Sequence, residues 1–150
     1  MPISAVIGRR EVIEAAWPKS TGEALHTSTF LGHPLACAAG LATLDLYRAE
    51  CLFERVRSLE PQWAQRSMAL QSLPGVLDIR TVGFATAIDL APCAEFRQRA
   101  ASIMRLGFEQ ENVLVRGVGN TVILAPPLVI SENEMDELFD KLTRLILSCA

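Results

Sequence analysis

Hydroxyl and imidazole side chains are concentrated in residues 26–33, which read HTSTFLGH and precede an apolar stretch beginning at Pro34. Gly32 tolerates backbone angles that other residues resist, and Pro34 suits the first position of a helix. A helix start leaves about four N–H groups without intrahelical partners, so these groups and the hydroxyls of Ser28 and Thr29 could bind a phosphate. Ser and Thr before a helix also act as simple N-caps, and the local pattern leaves both roles open.

Five further side chains could take part in chemistry, and each also has a structural explanation. Lys19 and Lys141 are the only lysines, and such an amine can condense with an aldehyde cofactor, but both are predicted to be surface residues. His26 and His33 are predicted to form hydrogen bonds within the turn and not to act as acid or base. Arg116 is predicted to be exposed at a strand end, with recognition of a substrate carboxylate as the alternative.

The cysteines are too widely spaced to form a metal or redox motif. They are predicted to be small buried hydrophobic side chains, and no metal site is expected. The four residues are Cys37, Cys51, Cys93 and Cys149.

The composition is that of an ordinary globular domain. Of the 150 residues, 50% are hydrophobic and 21% are charged, which is enough apolar material for a core. The formal net charge of -3 disfavours nucleic acid and anionic membranes as partners. No apolar run approaches the roughly 18 residues of a membrane span, and the N-terminus lacks a signal-peptide pattern. A cytoplasmic location is therefore expected.

The first third of the sequence predicts one strand and two helices. Residues 3–7 are apolar and end at Gly8, which is typical of a strand buried on both faces. A short helix over 9–16 and a loop over 17–25 follow. The helix that begins at Pro34 and ends near 48–51 is apolar almost all the way round, which predicts packing on several sides.

The middle of the sequence predicts a long helix, two strands and another helix. The long helix covers 52–73, and Pro61 should kink or interrupt it. Residues 76–80 and 84–90 have strand patterns on either side of Val82 and Gly83. The next helix is expected over 94–108, and its buried side chains are predicted to be Phe96, Ala100, Ile103 and Met104.

The last part predicts a second strand pair and a terminal helix. Asn112 is expected to adopt the left-handed conformation that ends a helix, and strands are expected at 113–115 and 121–124. Ser131 and Glu134 match a capping box. The terminal helix has an apolar stripe consisting of Met135, Leu138, Leu142, Leu145 and Ile146. The predicted fold is α+β, with helices packed on a small, mainly antiparallel sheet.

Three segments taken together resemble the C-terminal part of the class III (omega and ornithine type) pyridoxal-phosphate-dependent aminotransferases. They are residues 2–12, the turn and helix start at 26–40, and residues 113–128 with the motif APPL. The resemblance covers nearly the whole chain. It implies that 1–33 is a remnant of the large cofactor domain carrying a phosphate-contact turn, and that 34–150 is the small C-terminal domain with its linking helix.

The resemblance also implies a cofactor contact and a partner. The family's threonine at the position of Thr29 donates its hydroxyl to the phosphate of pyridoxal phosphate in the partner subunit, with Ser28 as a weaker contributor. A homodimer is therefore expected. Many family members have an arginine three residues before the first proline of the APPL motif, where it clamps a substrate carboxylate. Here that position is Ile123.

The same resemblance implies that the catalytic lysine is absent, because in the family it precedes a segment like Met1 to Ile3. The upstream residues that hold the cofactor ring would be missing as well. No catalytic residue is then expected in this chain, which should be inactive and bind no cofactor alone, with an N-terminal cofactor domain as its missing partner. The alternative is a stand-alone binding or assembly module that kept the fold and lost the chemistry.

Overall fold

The computed structural model of the chain describes residues 3–16, 29–93 and 98–149. The chain forms two compact units, Met1–Glu50 and Cys51–Ala150. Within the described residues, no helix is long and apolar enough to cross a membrane. The helices are α1 (Arg10–Ala16), α2 (Pro34–Ala49), α3 (Leu52–Ala69), α4 (Arg99–Gln110) and α5 (Glu132–Ser148), and the strands are β1 (Val76–Val82), β2 (Ala85–Leu90), β3 (Arg116–Val118) and β4 (Thr121–Leu124).

The first unit contains α1 and α2, and both predicted helices are confirmed. The predicted strand at 3–7 is wrong, since residues 3–9 have no regular structure and the side chains of Val6 and Ile7 are 91% and 94% exposed. A strand requires a neighbour to receive its backbone hydrogen bonds, and the described residues of this unit supply none. The predicted loop over 17–25 lies outside the described residues.

Helix α2 is far more exposed than its sequence predicted. None of its residues is buried, and the side chains of Leu35 and Leu41 are 62% and 65% exposed. Ile3 lies against Gly40, since a Cβ placed there would be 3.3 Å from the Ile3 Cδ1. The prediction of packing on several sides is wrong for this chain because the described part of the first unit is too small to cover an apolar helix.

The second unit is built on a four-stranded antiparallel sheet in the order β1-β2-β4-β3. Strands β1 and β2 join through Gly83 and Phe84, and Gly83 has a φ of 54°, a left-handed angle that glycine adopts at low cost. The predicted strand at 113–115 is displaced to 116–118. The reason is the two-residue turn at Gly119, where φ is 60°, since this turn fixes which residues can pair with β4.

One face of the sheet carries the core. Helix α3 contacts β1, while α4 contacts β3 and β4. Helix α3 runs without interruption through the exposed Pro61, although proline has no N–H to donate to the carbonyl one turn earlier. Helix α4 begins at Arg99 and not near 94, and Met104 is 37% exposed, so its predicted burial is wrong. Ala100 and Ile103 are buried as predicted, and Phe96 lies outside the described residues.

The predicted left-handed residue after α4 and the predicted capping box at the start of α5 are both confirmed. Asn112 follows α4 with a φ of 51°. Ser131 and Glu134 form the capping box of α5. In the apolar stripe of α5, Leu138 is partly buried and the other four residues are buried. The helices and the antiparallel sheet together confirm the predicted α+β fold.

The cysteine prediction is confirmed at one position and wrong at two. Cys149 is fully buried, whereas Cys37 and Cys51 are exposed and Cys93 is intermediate. Cys37 lies on α2, whose apolar side chains are also exposed, and Cys51 is the residue before α3. The prediction of burial at both positions rests on residue type alone.

The α5 capping box predicts a pH-dependent contribution to stability. The Glu134 carboxylate accepts hydrogen bonds from the backbone N–H of Ser131 at 2.8 Å and from its hydroxyl at 2.7 Å, and these bonds hold the pKa of Glu134 below its ordinary value of 4.5. A depressed folded-state pKa stabilises the protein above the unfolded-state pKa, and the contribution is lost as the pH falls through the folded-state pKa. Glu134→Gln should therefore lower stability at pH 7 and lower it much less at pH 3.

Urea unfolding of the wild type and of Glu134→Gln at the two pH values tests this expectation. Glu137→Gln is the control, because Glu137 lies on the same helix and pairs with Lys141, away from the cap. An equal loss of stability at pH 7 and pH 3 in Glu134→Gln would show that the charge of the cap carboxylate contributes nothing.

Candidate functional site

The predicted phosphate turn is described from Thr29 onward. Thr29 is exposed at the start of a turn over 29–32, which the backbone N–H of His33 closes by donating to the Phe30 carbonyl at 3.1 Å. Gly32 has a φ of 70°, so the turn uses the left-handed conformation that glycine favours. Ser28 lies outside the described residues. The assignment of Thr29 and Ser28 to a cofactor phosphate stays a prediction.

The start of α2 offers fewer donors to an anion than a general helix N-terminus. Of the N–H positions at residues 33–36, Pro34 has no N–H, the His33 N–H donates to the Phe30 carbonyl at 3.1 Å, and the Ala36 N–H donates to the His33 Nδ1 at 3.4 Å. His33 is therefore a hydrogen-bonding turn residue, as predicted, and its ring also packs against Phe30 with centroids 5.6 Å apart. An anion in this turn would depend mainly on the Thr29 hydroxyl and on N–H groups of the turn.

The second unit presents chemistry-bearing side chains on the sheet face opposite its core. Partner residues in antiparallel strands point to the same face. Arg80 pairs with Ala87, Ala87 with Ile123, and Ile123 with Arg116. These four residues, which we call the outer row, therefore cross the sheet from one edge to the other, with an arginine at each end.

The two arginines of the outer row differ in their charge partners. Arg80 donates to Asp78 at 2.6 Å and to both carboxylate oxygens of Asp89 at 2.6 and 3.2 Å. Asp89 also accepts from the Thr121 hydroxyl at 2.7 Å. The hydrogen bonds from Arg80 and, to a lesser degree, from Thr121 hold the pKa of Asp89 below its ordinary value. The hydrogen bonds to Asp89 and Asp78 raise the pKa of Arg80. The charge of Arg80 is thus already neutralised.

Arg116 is exposed at the first position of β3. Among the described residues, no ion pair or side-chain hydrogen bond involves its guanidinium. The predicted exposure of Arg116 is confirmed. Its cross-strand neighbour is Ile123, and Cβ atoms of directly opposite residues lie about 5 Å apart. The Arg116 guanidinium therefore lies beside Ile123, the position at which many members of the resembled family have an arginine.

The turn after β3 is attached to its surroundings. The Asn120 side-chain oxygen accepts from the Arg99 backbone N–H at 3.1 Å, and the Asn120 carbonyl accepts from the Leu90 N–H at 3.0 Å. Beyond β4, the Arg55 guanidinium donates to the carbonyls of Leu128 and Ile130 at 2.6 and 2.5 Å. Both ends of the β3–β4 pair are consequently held by residues distant in sequence.

Of the remaining candidates, the structure describes Lys141 alone. Lys141 pairs with Glu137 at 2.6 Å, and its side chain is 18% exposed, so it lies closer to the core than predicted while its charged end forms a surface ion pair. Lys19 and His26 lie outside the described residues. Within the three described ranges, no group of three or more His, Cys, Asp or Glu side chains is placed to hold a metal ion.

Sequence reasoning missed the ion-pair network on the outer face. Asp78 and Arg80 are two residues apart on one predicted strand, and Asp89 lies on the neighbouring predicted strand. Because side chains alternate between the two faces of a sheet, this spacing is consistent with all three side chains lying on one face. The signal that was lacking was the register, because only the turn at Gly83 decides that Arg80 stands beside Asp89.

Comparison with known proteins identifies the family. The family described as aminotransferase class III matches residues 1–146. An omega-aminotransferase of Caulobacter vibrioides is 32% identical over 149 residues, which cover 97% of this chain and 34% of the relative. A beta-alanine–pyruvate aminotransferase of Pseudomonas aeruginosa is 33% identical over 144 residues, covering 93% of this chain and 32% of the relative. The chain belongs to the class III aminotransferase family.

A solved structure agrees with this assignment. The pyridoxal-phosphate-bound aminotransferase mutant from Vibrio fluvialis matches with a TM-score of 0.74 and 28% identity, covering 93% of this chain and 31% of that one. The predicted family resemblance is therefore confirmed. The chain spans about a third of the length of the relatives it matches.

Proposed function

We propose that this chain is the C-terminal portion of a pyridoxal-phosphate-dependent aminotransferase that moves an amino group between an amine or amino acid and an oxo acid. The family match over residues 1–146 supports the proposal. Residues 1–33 would be a remnant of the cofactor domain and 34–150 the small domain. The complete enzyme would be a cytoplasmic homodimer, and the chain alone would be inactive because neither Lys19 nor Lys141 occupies the family's lysine position.

The residues present fit one part of the cofactor, its phosphate. The exposed Thr29 hydroxyl can donate to a phosphate oxygen, and a turn with a glycine in the left-handed conformation leaves backbone N–H groups to assist. When bound, the cofactor supplies the electron sink for amino-group transfer. The role of Thr29 in that complex is to hold the phosphate of the partner subunit's cofactor and so to fix where its reactive end lies.

Arg116 is the residue we assign to the substrate carboxylate. It is exposed, it lacks a charge partner among the described residues, and its planar guanidinium can bind a carboxylate through two parallel hydrogen bonds. Ile123 beside it provides an apolar surface for substrates that have no carboxylate. The carboxylate of an oxo acid would then bind Arg116, and a carboxylate-free amine would contact Ile123, each during its own half of the reaction.

The proposal is tested by joining this chain to the preceding portion of a relative. The part of the Caulobacter vibrioides omega-aminotransferase that precedes its matching region is joined to this chain, and transfer from an amine to pyruvate is measured. The joined protein should be active and the isolated chain inactive. Arg116→Ala should raise the KM for pyruvate roughly 10- to 100-fold, the loss expected for a charge-assisted hydrogen-bond pair. Thr29→Val should weaken binding of pyridoxal phosphate by about tenfold.

Matched variants separate these effects from general damage. Arg105→Ala removes an arginine that is exposed and paired with Glu109, and Thr43→Val removes a hydroxyl that donates within α2. Both should leave KM and cofactor affinity unchanged. A joined protein that binds pyridoxal phosphate and transfers no amino group would contradict the proposal and favour a module that has lost the chemistry.

A further inference from the structure

Gly117 is the point at which β3 touches α4. A Cβ placed on Gly117 would lie 2.6 Å from the Ala100 carbonyl oxygen, 2.8 Å from its carbonyl carbon and 3.1 Å from the Ala101 nitrogen. All three atoms belong to backbone, so no flexible side chain can move aside. Any residue with a Cβ at 117 must therefore separate the strand from the first turn of the helix.

The start of α4 is the better-anchored side of this contact. The Arg99 guanidinium donates to the carbonyls of Gly75 at 3.3 Å, Pro74 at 3.1 Å and Ile146 at 3.2 Å, and the Arg99 side chain is buried. The Arg99 backbone N–H donates to Asn120 in the β3–β4 turn, so that bond links the helix to the strand pair and is not part of the anchoring by the guanidinium. Shifting the first turn of α4 would disturb all of these hydrogen bonds at once.

The strand is the weaker side. Strand β3 has three residues and, among the residues that the structure describes, lies at the edge of the sheet and pairs with β4 alone. Short edge strands have few backbone hydrogen bonds to resist displacement. A residue larger than glycine at 117 should therefore move β3, and Arg116 is the adjacent residue in that strand.

The geometry points to Gly117 as a positioning residue that sets where the Arg116 guanidinium stands relative to Ile123 and hence how well the site takes a carboxylate. This inference rests on the proposed function of Arg116. It predicts that Gly117→Ala damages carboxylate recognition although the arginine is still present. A displacement of the order of 1 Å in a binding group is enough to cost a large factor in turnover.

The first measurement uses the full 150-residue chain. Backbone amide hydrogen exchange is compared in the wild type, in Gly117→Ala and in Gly107→Ala. Gly107 is the matched control because a Cβ there would lie 2.9 Å from the Val113 carbonyl oxygen, also a backbone atom, at the other end of α4. Gly117→Ala should speed exchange in β3 roughly tenfold while protection in α4 is kept. Loss of protection in α4 with β3 unchanged would overturn the inference.

The second measurement uses the same variants in the joined aminotransferase. Gly117→Ala should raise the KM for pyruvate roughly tenfold and change the KM for a carboxylate-free amine such as 1-phenylethylamine less than twofold. Gly107→Ala should not change the KM for pyruvate relative to the KM for the amine. If Arg116→Ala raises the KM for pyruvate and Gly117→Ala does not, the inference fails and the proposed function stands. If Arg116→Ala has no effect, the proposed function of Arg116 fails, and this inference fails with it.

Discussion

Replacing Trp63 with alanine is expected to lower the free energy of unfolding of the second unit by about 4 kcal/mol. Trp63 is fully buried, and its ring centroid lies 5.4 Å from that of Phe84 and 4.9 Å from that of Phe139. It thus joins α3, the β1–β2 turn and α5 in one aromatic cluster. Truncation would leave a cavity between three elements that cannot all close on it.

The indole N–H adds a polar contribution. It donates to the Thr86 hydroxyl at 2.8 Å, and that oxygen also contacts the Ser67 hydroxyl at 3.0 Å, with all three side chains buried. Removing the indole therefore leaves buried hydroxyls with fewer partners, which costs more than losing an exposed hydrogen bond.

Urea unfolding followed by circular dichroism measures the effect. Trp63→Phe keeps an aromatic ring and loses the N–H, so it should destabilise by less, about 1 to 2 kcal/mol. Phe53→Ala is the control, because Phe53 is 52% exposed on the same helix. A Trp63→Ala variant that unfolds within about 1 kcal/mol of the wild type would show that the aromatic cluster is not central to the core.

Replacing Arg99 with methionine should cost about 3 kcal/mol of stability. The Arg99 side chain is 2% exposed, and its guanidinium satisfies the carbonyls of Pro74, Gly75 and Ile146. Ile146 lies in the last turn of α5, where carbonyls lack intrahelical partners and carry the negative end of the helix dipole. Methionine has similar length and no donor, so the Pro74 and Ile146 carbonyls would lose these hydrogen bonds, whereas the Gly75 carbonyl would keep its bond from the Ala91 N–H at 2.8 Å.

The burial of Arg99 also limits how much its hydrogen bonds can add to the free energy of unfolding. Its Nε has no hydrogen-bond partner among the described residues, so part of the desolvation cost is not offset. Arg105→Met provides the comparison, since Arg105 is exposed on the same helix and its loss should change stability by less than about 0.5 kcal/mol. Equal unfolding midpoints for Arg99→Met and Arg105→Met would contradict the structural role of Arg99.

Sequence patterns correctly predicted those features that depend on interactions between residues close in sequence. The capping box at Ser131, the left-handed Asn112 and the stripe of α5 all depend on neighbouring residues, and all are found. The position of β3 depended on the turn at Gly119, where a shift of a few residues changes the pairing and leaves the hydropathy pattern unaltered. The sequence predicted a strand pair there and placed its first strand three residues early.

The features that escaped prediction depend on partners distant in sequence. Arg99 is an ordinary charged residue by its sequence, and only the convergence of the Pro74–Gly75 turn with the end of α5 explains its burial. Helix α2 is apolar, but the described chain leaves it exposed. Thr29 is a candidate by family resemblance and Arg116 by its residue type, whereas the ion pair between Arg80 and Asp89 depends on the register of β1 and β2.

The strand order β1-β2-β4-β3 has a consequence for how the second unit folds. Each outer strand is joined to its inner neighbour by a two-residue turn, so two hairpins can form from contacts close in sequence, a process that takes microseconds. Bringing β2 against β4 instead closes a loop that contains the whole of α4, which costs more chain entropy. The joining of the two hairpins, and not their formation, is therefore the step expected to govern the folding rate of this unit.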